Sequence, residues 1–174
     1  MATALHPSVD EIWHWLSKVP DPEIPVISLT DLGIIRDVGW QGDTLVVTVT
    51  PTYSGCPATT VINLDIERAL IEKGIDRVRL ERQLSPAWTT DWISAGGREK
   101  LRAYGIAPPI DGTAADGVLM KRIDRLAGRS NLTIACPRCG STNTEKMSQF
   151  GSTPCKASYR CTECLEPFDY FKCI

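Results

Sequence analysis

The sequence lacks a strong excess of either charge. Lys and Arg number 19, Asp and Glu 21, and the net charge is −2 over 174 residues. That balance argues against a dedicated nucleic-acid binder, which carries a clear positive excess. No run of about 18 apolar residues occurs, so no transmembrane helix is expected. The start, MATALHPSVDEIW, has neither a basic n-region nor an apolar h-region. A cytoplasmic address is the expectation. Histidine is nearly absent: His6 and His14 are the only two, both near the start. They are expected to be peripheral or packed, and no Cys–His catalytic pair is in view. There is no pair of Glu-x-x-His motifs for a di-iron bundle, and no G-x-G-x-x-G after a strand for a dinucleotide. No catalytic residue is assigned.

Cysteine is what the chain has in plenty. Six of its seven cysteines lie between residues 136 and 173. Clustered cysteines in a reducing compartment bind metal or do thiol chemistry more often than they form disulfides. Cys136-Pro-Arg-Cys139 and Cys161-Thr-Glu-Cys164 are two C-x2-C pairs, with 21 residues between them. Each pair sets two sulfurs on one tight knuckle. Two knuckles on facing hairpins place four sulfurs tetrahedrally, which suits structural zinc with no open position. Four thiolates also accept a single iron. Gly140 supports a turn after the first knuckle. Phe168, Tyr170 and Phe171 supply apolar cover to a module too small for its own core. Cys155 and Cys173 are left over. Cys155, beside Lys156 in a loop of small residues, reads as a reactive thiol, a labile ligand or a small buried filler. The first reading predicts a thiol open to solvent.

The front of the chain reads differently. Residues 1–85 carry 7 Lys and Arg against 12 Asp and Glu, so the front is mildly acidic and the remainder mildly basic. Ser8 with Glu11 forms a capping-box pattern. Val9, Ile12, Trp13, Leu16 and Val19 then follow helical spacing up to Pro20. Residues 34–40 and 44–50 read as a hairpin around Gln41-Gly42-Asp43. Pro57 suits the first turn of a helix that runs to about Lys73 and stops at Gly74. A third strand is expected over 76–84, and Asp91 as the cap of a helix through Tyr104. The order implies an α+β fold, a small mixed sheet packed with helices, followed by a zinc-ribbon-like β module. The expected divisions are 8–105, a linker with a short amphipathic helix at 106–130, and 131–174.

Cys56 stands apart from the other cysteines. At a helix start, unpaired amides and the helix dipole stabilise a thiolate. That thiolate could bind a soft metal, hold part of an iron–sulfur cluster or act as a nucleophile. A small residue at a helix start explains it equally simply. Asp21 and Glu23, in the loop D-P-E-I-P at 21–25, are either ordinary turn residues or a carboxylate pair near Cys56. Two other classes stay open for the whole chain. A zinc-ribbon nucleic-acid binder would use Arg138, Lys146, Lys156, Arg160 and Lys172, against the acidic front. A thiol oxidoreductase would use one C-x-x-C, against the presence of its twin.

With D-P-E-I-P, T-D-L-G at 30–33, S-G-C-P at 54–57 and S-P-A-W-T-T-D-W at 85–92 assembled, residues 8–105 resemble the MIP-type domain of iron–sulfur assembly factors. The cysteine tail, with F-G-S-T-P-C-K-A, makes the whole chain similar to the PaaD family of phenylacetate-degradation proteins. The resemblance implies an accessory role in the multicomponent oxygenase that epoxidises phenylacetyl-CoA. The oxygenase and reductase subunits would then be its partners. It also implies that Cys56, Asp21 and Glu23 handle a transient iron–sulfur cluster, with Thr52 in the same loop. One cysteine cannot complete a cluster, so a partner's thiolates, a second copy of the chain or Cys155 must supply the rest. The reading that follows is a cluster assembly or maturation factor. The alternative is a structural or regulatory subunit of that oxygenase.

Overall fold

The computed structural model describes residues 6–53, 55–110 and 133–172. Cys173, Ser54 and the amphipathic stretch expected around 118–126 lie outside the described residues. The chain forms two compact units, residues 1–88 and 89–174.

The first unit opens with helix α1, Val9–Leu16. Ser8 caps it as the sequence implies: its Oγ accepts the Glu11 N–H at 3.3 Å, and Glu11 Oε2 accepts the Ser8 N–H at 2.9 Å. Strands β1 (Ile35–Gln41) and β2 (Thr44–Val49) form an antiparallel hairpin, with Gln41 opposite Thr44. Gly42 takes the positive φ, +59°, that so short a turn demands. Helix α2, Thr59–Ile71, crosses over to β3, Val78–Arg82, which pairs in parallel with β2. The sheet order is β1-β2-β3. Central β2 is buried on both faces by Leu45, Val46, Val47 and Val49. This explains why it reads as a β-branched run broken only by Leu45, and not as an alternation. Ile62, Ile66 and Leu70 line the inner face of α2, and Ile12 and Leu16 that of α1. Gly74, at φ +84°, ends the segment after α2.

Two local expectations shift. Helix α2 begins at Thr59 with Ala58 as its cap, so Pro57 and Cys56 lie in the preceding turn. Asp91 falls in a short 3-10 turn, Thr90–Trp92. Ser94 caps helix α3 (Ala95–Ala103), its Oγ accepting the Gly97 N–H at 2.9 Å. Ser94 has the extended backbone that a cap requires, whereas Asp91 is already inside a turn.

The second unit holds α3 and a four-stranded sheet of order β4-β7-β6-β5. Its strands are β4 (Ile106–Ala107), β5 (Thr144–Ser148), β6 (Lys156–Cys161) and β7 (Pro167–Phe171). β5, β6 and β7 form an antiparallel meander, and β4 joins β7 in parallel. Residues 106 and 107 thus form a strand where a linker was expected. Two apolar residues between glycine and prolines carry no periodicity to announce it. Ala107, Ile134, Ala157, Tyr159, Phe168 and Tyr170 pack with Cys136 and Cys161 as one small core. No helix among the described residues is long and apolar enough to cross a membrane.

Candidate metal centre and cysteine loop

The two knuckles are built alike. In the first, the Cys136 N–H donates to Ser141 O at 2.9 Å; in the second, the Cys161 N–H donates to Glu166 O at 3.0 Å. Each closes five residues downstream, and each turns through a left-handed residue just after its second cysteine. These residues are Gly140 at φ +74° and Leu165 at φ +63°. Gly140 is visible in the sequence as a turn signal. Leu165 is not, because a leucine there is strained and only the matching position betrays its conformation.

The structure brings all four sulfurs together. Cys136, Cys139, Cys161 and Cys164 have Sγ atoms within 4.8 Å of one another. Across the knuckles, the Cys139 and Cys161 sulfurs are 3.6 Å apart and those of Cys136 and Cys164 3.8 Å. A disulfide needs about 2.05 Å. Four sulfurs each about 2.3 Å from one tetrahedral ion stand about 3.8 Å apart, so the donor set has the size and chemistry of a thiolate metal site. Cys136 and Cys161 are buried, whereas Cys139 and Cys164 are exposed.

The thiols do not share one acidity. The Cys164 amide, followed by the Glu163 amide against burial, draws Cys161 down to about 7. For Cys139 the Ser141 amide acts downward, but burial and the sulfurs of Cys164, Cys161 and Cys136 push it up to about 12. Cys164 is raised as well: the Glu166 amide pulls it down, and burial with Cys161 and Cys136 outweighs that pull. Without a cation at the centre, one thiolate raises the cost of the next. Side chains outside the sulfur set brace the knuckles. Asn143 donates to Glu163, and Arg138 pairs with Glu166 at 3.3 Å.

Cys155 is not the open thiol that its loop context implies. It is only 6% exposed, and its Sγ lies 3.0 Å from Thr153 Oγ1. Lys156, expected to favour its thiolate, is buried and directs its Nζ to Asp169 at 3.8 Å. Ser152 donates to the same carboxylate at 2.9 Å. The small residues around Cys155 are there because the chain is packed tightly: a Cβ on Gly151 would stand 2.7 Å from Asp169 Oδ1.

In the first unit, Cys56 is half-buried. Its N–H donates to Tyr53 O at 3.2 Å, and its carbonyl accepts both the N–H and the hydroxyl of Thr59, at 3.3 and 2.9 Å. The turn is therefore fastened to the first residue of α2. Thr52 is half-buried in the same loop. Asp21 is 7% exposed and turns into its own loop, Oδ1 accepting the N–H groups of Glu23 at 2.9 Å and Ile24 at 2.8 Å. Its carboxylate organises the D-P-E-I-P loop from within, and Glu23 is half-buried beside it in sequence. His14 is exposed, and His6 lies on Trp40 with Nε2 3.5 Å from Asp43.

Residues 122–172 match the family model of the PaaD zinc beta ribbon domain, and residues 9–78 that of an iron–sulfur cluster assembly protein. Across the full 174 residues the chain is 49% identical to an Escherichia coli (strain K12) protein, covering 98% of that relative. The relative is named as a subunit of a "Putative 1,2-phenylacetyl-CoA epoxidase". The chain belongs to the PaaD family. It is also 39% identical over 88 residues to an Fe-S protein maturation auxiliary factor of Porphyromonas gingivalis (strain ATCC BAA-308 / W83), covering 49% of this chain and 82% of that one. A domain of unknown function from Bacillus anthracis aligns with a TM-score of 0.49 at 24% identity, over 53% of this chain and 89% of its own. For a PaaD-family chain, the four-cysteine knuckles fall inside the ribbon match, and Cys56 falls inside the iron–sulfur assembly match.

Proposed function

We propose that this chain is an accessory iron–sulfur assembly or maturation factor of the phenylacetyl-CoA epoxidase system, and that it does no oxygenation itself. The observation that carries the reading is the union of two matches in one chain. An iron–sulfur cluster assembly segment lies at 9–78, inside a full-length likeness to a protein named as an epoxidase component. The partners that follow are the oxygenase and reductase components of that system, encountered in the cytoplasm.

Cys136, Cys139, Cys161 and Cys164 are the residues that would hold zinc. The ion would supply charge neutralisation that lets four thiolates crowd one point, and with it the folding of the ribbon. Cys56 is the proposed thiolate for the cluster that the protein handles as cargo. It is half-buried, in a turn that two bonds to Thr59 hold against α2, so its sulfur is positioned and still reachable. Asp21 keeps the D-P-E-I-P loop in shape, and Glu23 and Thr52 complete the proposed handling residues. A single sulfur cannot satisfy a cluster. The remaining ligands come from the client or a second copy, which makes the bound state labile.

The test is Cys56→Ala in cells that grow on phenylacetate. The fold should persist, because truncating a half-buried turn residue costs about 1 kcal/mol. Growth should stop, and the reductase component should accumulate short of iron. A fully iron-loaded reductase in cells that still cannot grow would reject the assembly role and favour a structural or regulatory part.

A further inference from the structure

Helix α2 is apolar on two opposite faces. Ile62, Ile66 and Leu70 are buried in the first unit. Val61, Leu64 and Ile71 are 45%, 56% and 54% exposed. At about 3.6 residues per turn, the centre of the exposed stripe lies about 180° from the centre of the buried face. The spacing of 61, 64, 68 and 71 is the seam of a helix that packs against another helix, with Arg68 at the one polar position. A single exposed leucine means little, but three large apolar side chains in register on one helix mark a contact surface.

The charges around the stripe select what it contacts. Asp65 and Glu72 border it on one side and Glu67 on the other. None of these three, nor Arg68, has an ion-pair partner among the described residues. Lys73, the remaining cation of this stretch, lies over the Trp15 ring at 6.0 Å. A second copy of α2 would bring like carboxylates together along both borders. A helix with lysines or arginines flanking an apolar seam would satisfy them.

We propose that the outer face of α2, centred on Leu64, is a docking surface for an amphipathic helix with basic flanks, carried by a partner protein. Val61 follows Cys56 by five residues. A partner seated there is therefore presented to the cysteine turn. The proposal stands on the exposed stripe and its charges, and does not require Cys56 to be a ligand.

The probe is a fluorescein-labelled helical peptide of leucine and lysine, with leucines at the spacing of the stripe. Its counterpart replaces every lysine with glutamate. Anisotropy with the full chain should show saturable binding of the lysine peptide. The glutamate peptide should bind at least about tenfold more weakly, and the preference should shrink as salt is added. The triple variant Val61→Ser, Leu64→Ser, Ile71→Ser should lose at least about tenfold in affinity. Its circular dichroism and thermal melt should stay unchanged, because only exposed side chains are altered. Equal affinity for the two peptides, or lysine-peptide binding untouched by the triple variant, would overturn the proposal. So would dimerisation of the wild-type chain in sedimentation velocity that the triple variant abolishes, because the occupant would then be a second copy.

Discussion

Thr50 directly follows β2 and is 1% exposed, yet its hydroxyl has no hydrogen-bond partner among the described residues. Its backbone is well used, the N–H donating to Ile34 O at 2.8 Å. A buried hydroxyl left unbonded costs about 1–3 kcal/mol. Thr50→Val keeps the shape and removes that cost, so the midpoint of chemical denaturation should rise, with a gain of about 1 kcal/mol. A loss of stability would show that the hydroxyl is bonded in solution. At this scale the sequence is generous about the metal centre and poor about its neighbours. Two C-x2-C pairs announce four converging sulfurs, because the knuckle geometry is local. Cys155 reads as open and is buried, because it leads into β6, which pairs with β7, and its carbonyl accepts the Lys172 N–H at 3.1 Å. No local pattern brings those together.

Among elements, α1 is the most legible, because Ser8 and Glu11 satisfy each other within a single turn. The Ser8 amide holds the Glu11 carboxyl below its ordinary value, and the Ser8 hydroxyl adds to the effect. A carboxylate depressed in the folded state stabilises above its unfolded pKa, and that contribution is lost as the pH falls through the folded value. Glu11→Ala should therefore destabilise the chain at neutral pH, because it removes the carboxylate that accepts from the Ser8 amide and hydroxyl. The difference between variant and wild type should narrow below about pH 4, read as urea midpoints at several pH values. A difference independent of pH would mean that the Glu11 charge plays no part in the cap. The hairpin of β1 and β2 is equally plain, since the β-branched run and Gly42 act within a few residues. Strand β4 is invisible because its existence is decided by β7, some sixty residues downstream.

At the scale of the molecule, the cysteine cluster and the core of the second unit are one structure. Cys136 and Cys161 belong to the same small core as Tyr159, Phe168 and Tyr170. Tyr159 packs on Phe168 at 5.9 Å and edge-on to Tyr170 at 5.7 Å. Few side chains support that core, so the knuckles must be held for it to persist. Chelation of the metal should make Arg160 and Lys172 cleavable by trypsin, while bonds within residues 9–82 resist as before. Mass spectrometry of the fragments reads the outcome. A ribbon that stays protected in chelator would show that packing alone sustains it.

The parallel bond of β4 to β7 has a consequence for how such chains can be inherited. Ile106 pairs with Asp169 and Ala107 with Tyr170, so the far edge of the ribbon sheet is supplied from before residue 111. A gene fusion that borrowed only the cysteine-bearing stretch would leave β7 with an unsatisfied edge and Ala107 missing from the core. The structural unit is thus longer than its cysteines suggest, and reaches back past the start of the 122–172 ribbon match to Ile106 and Ala107.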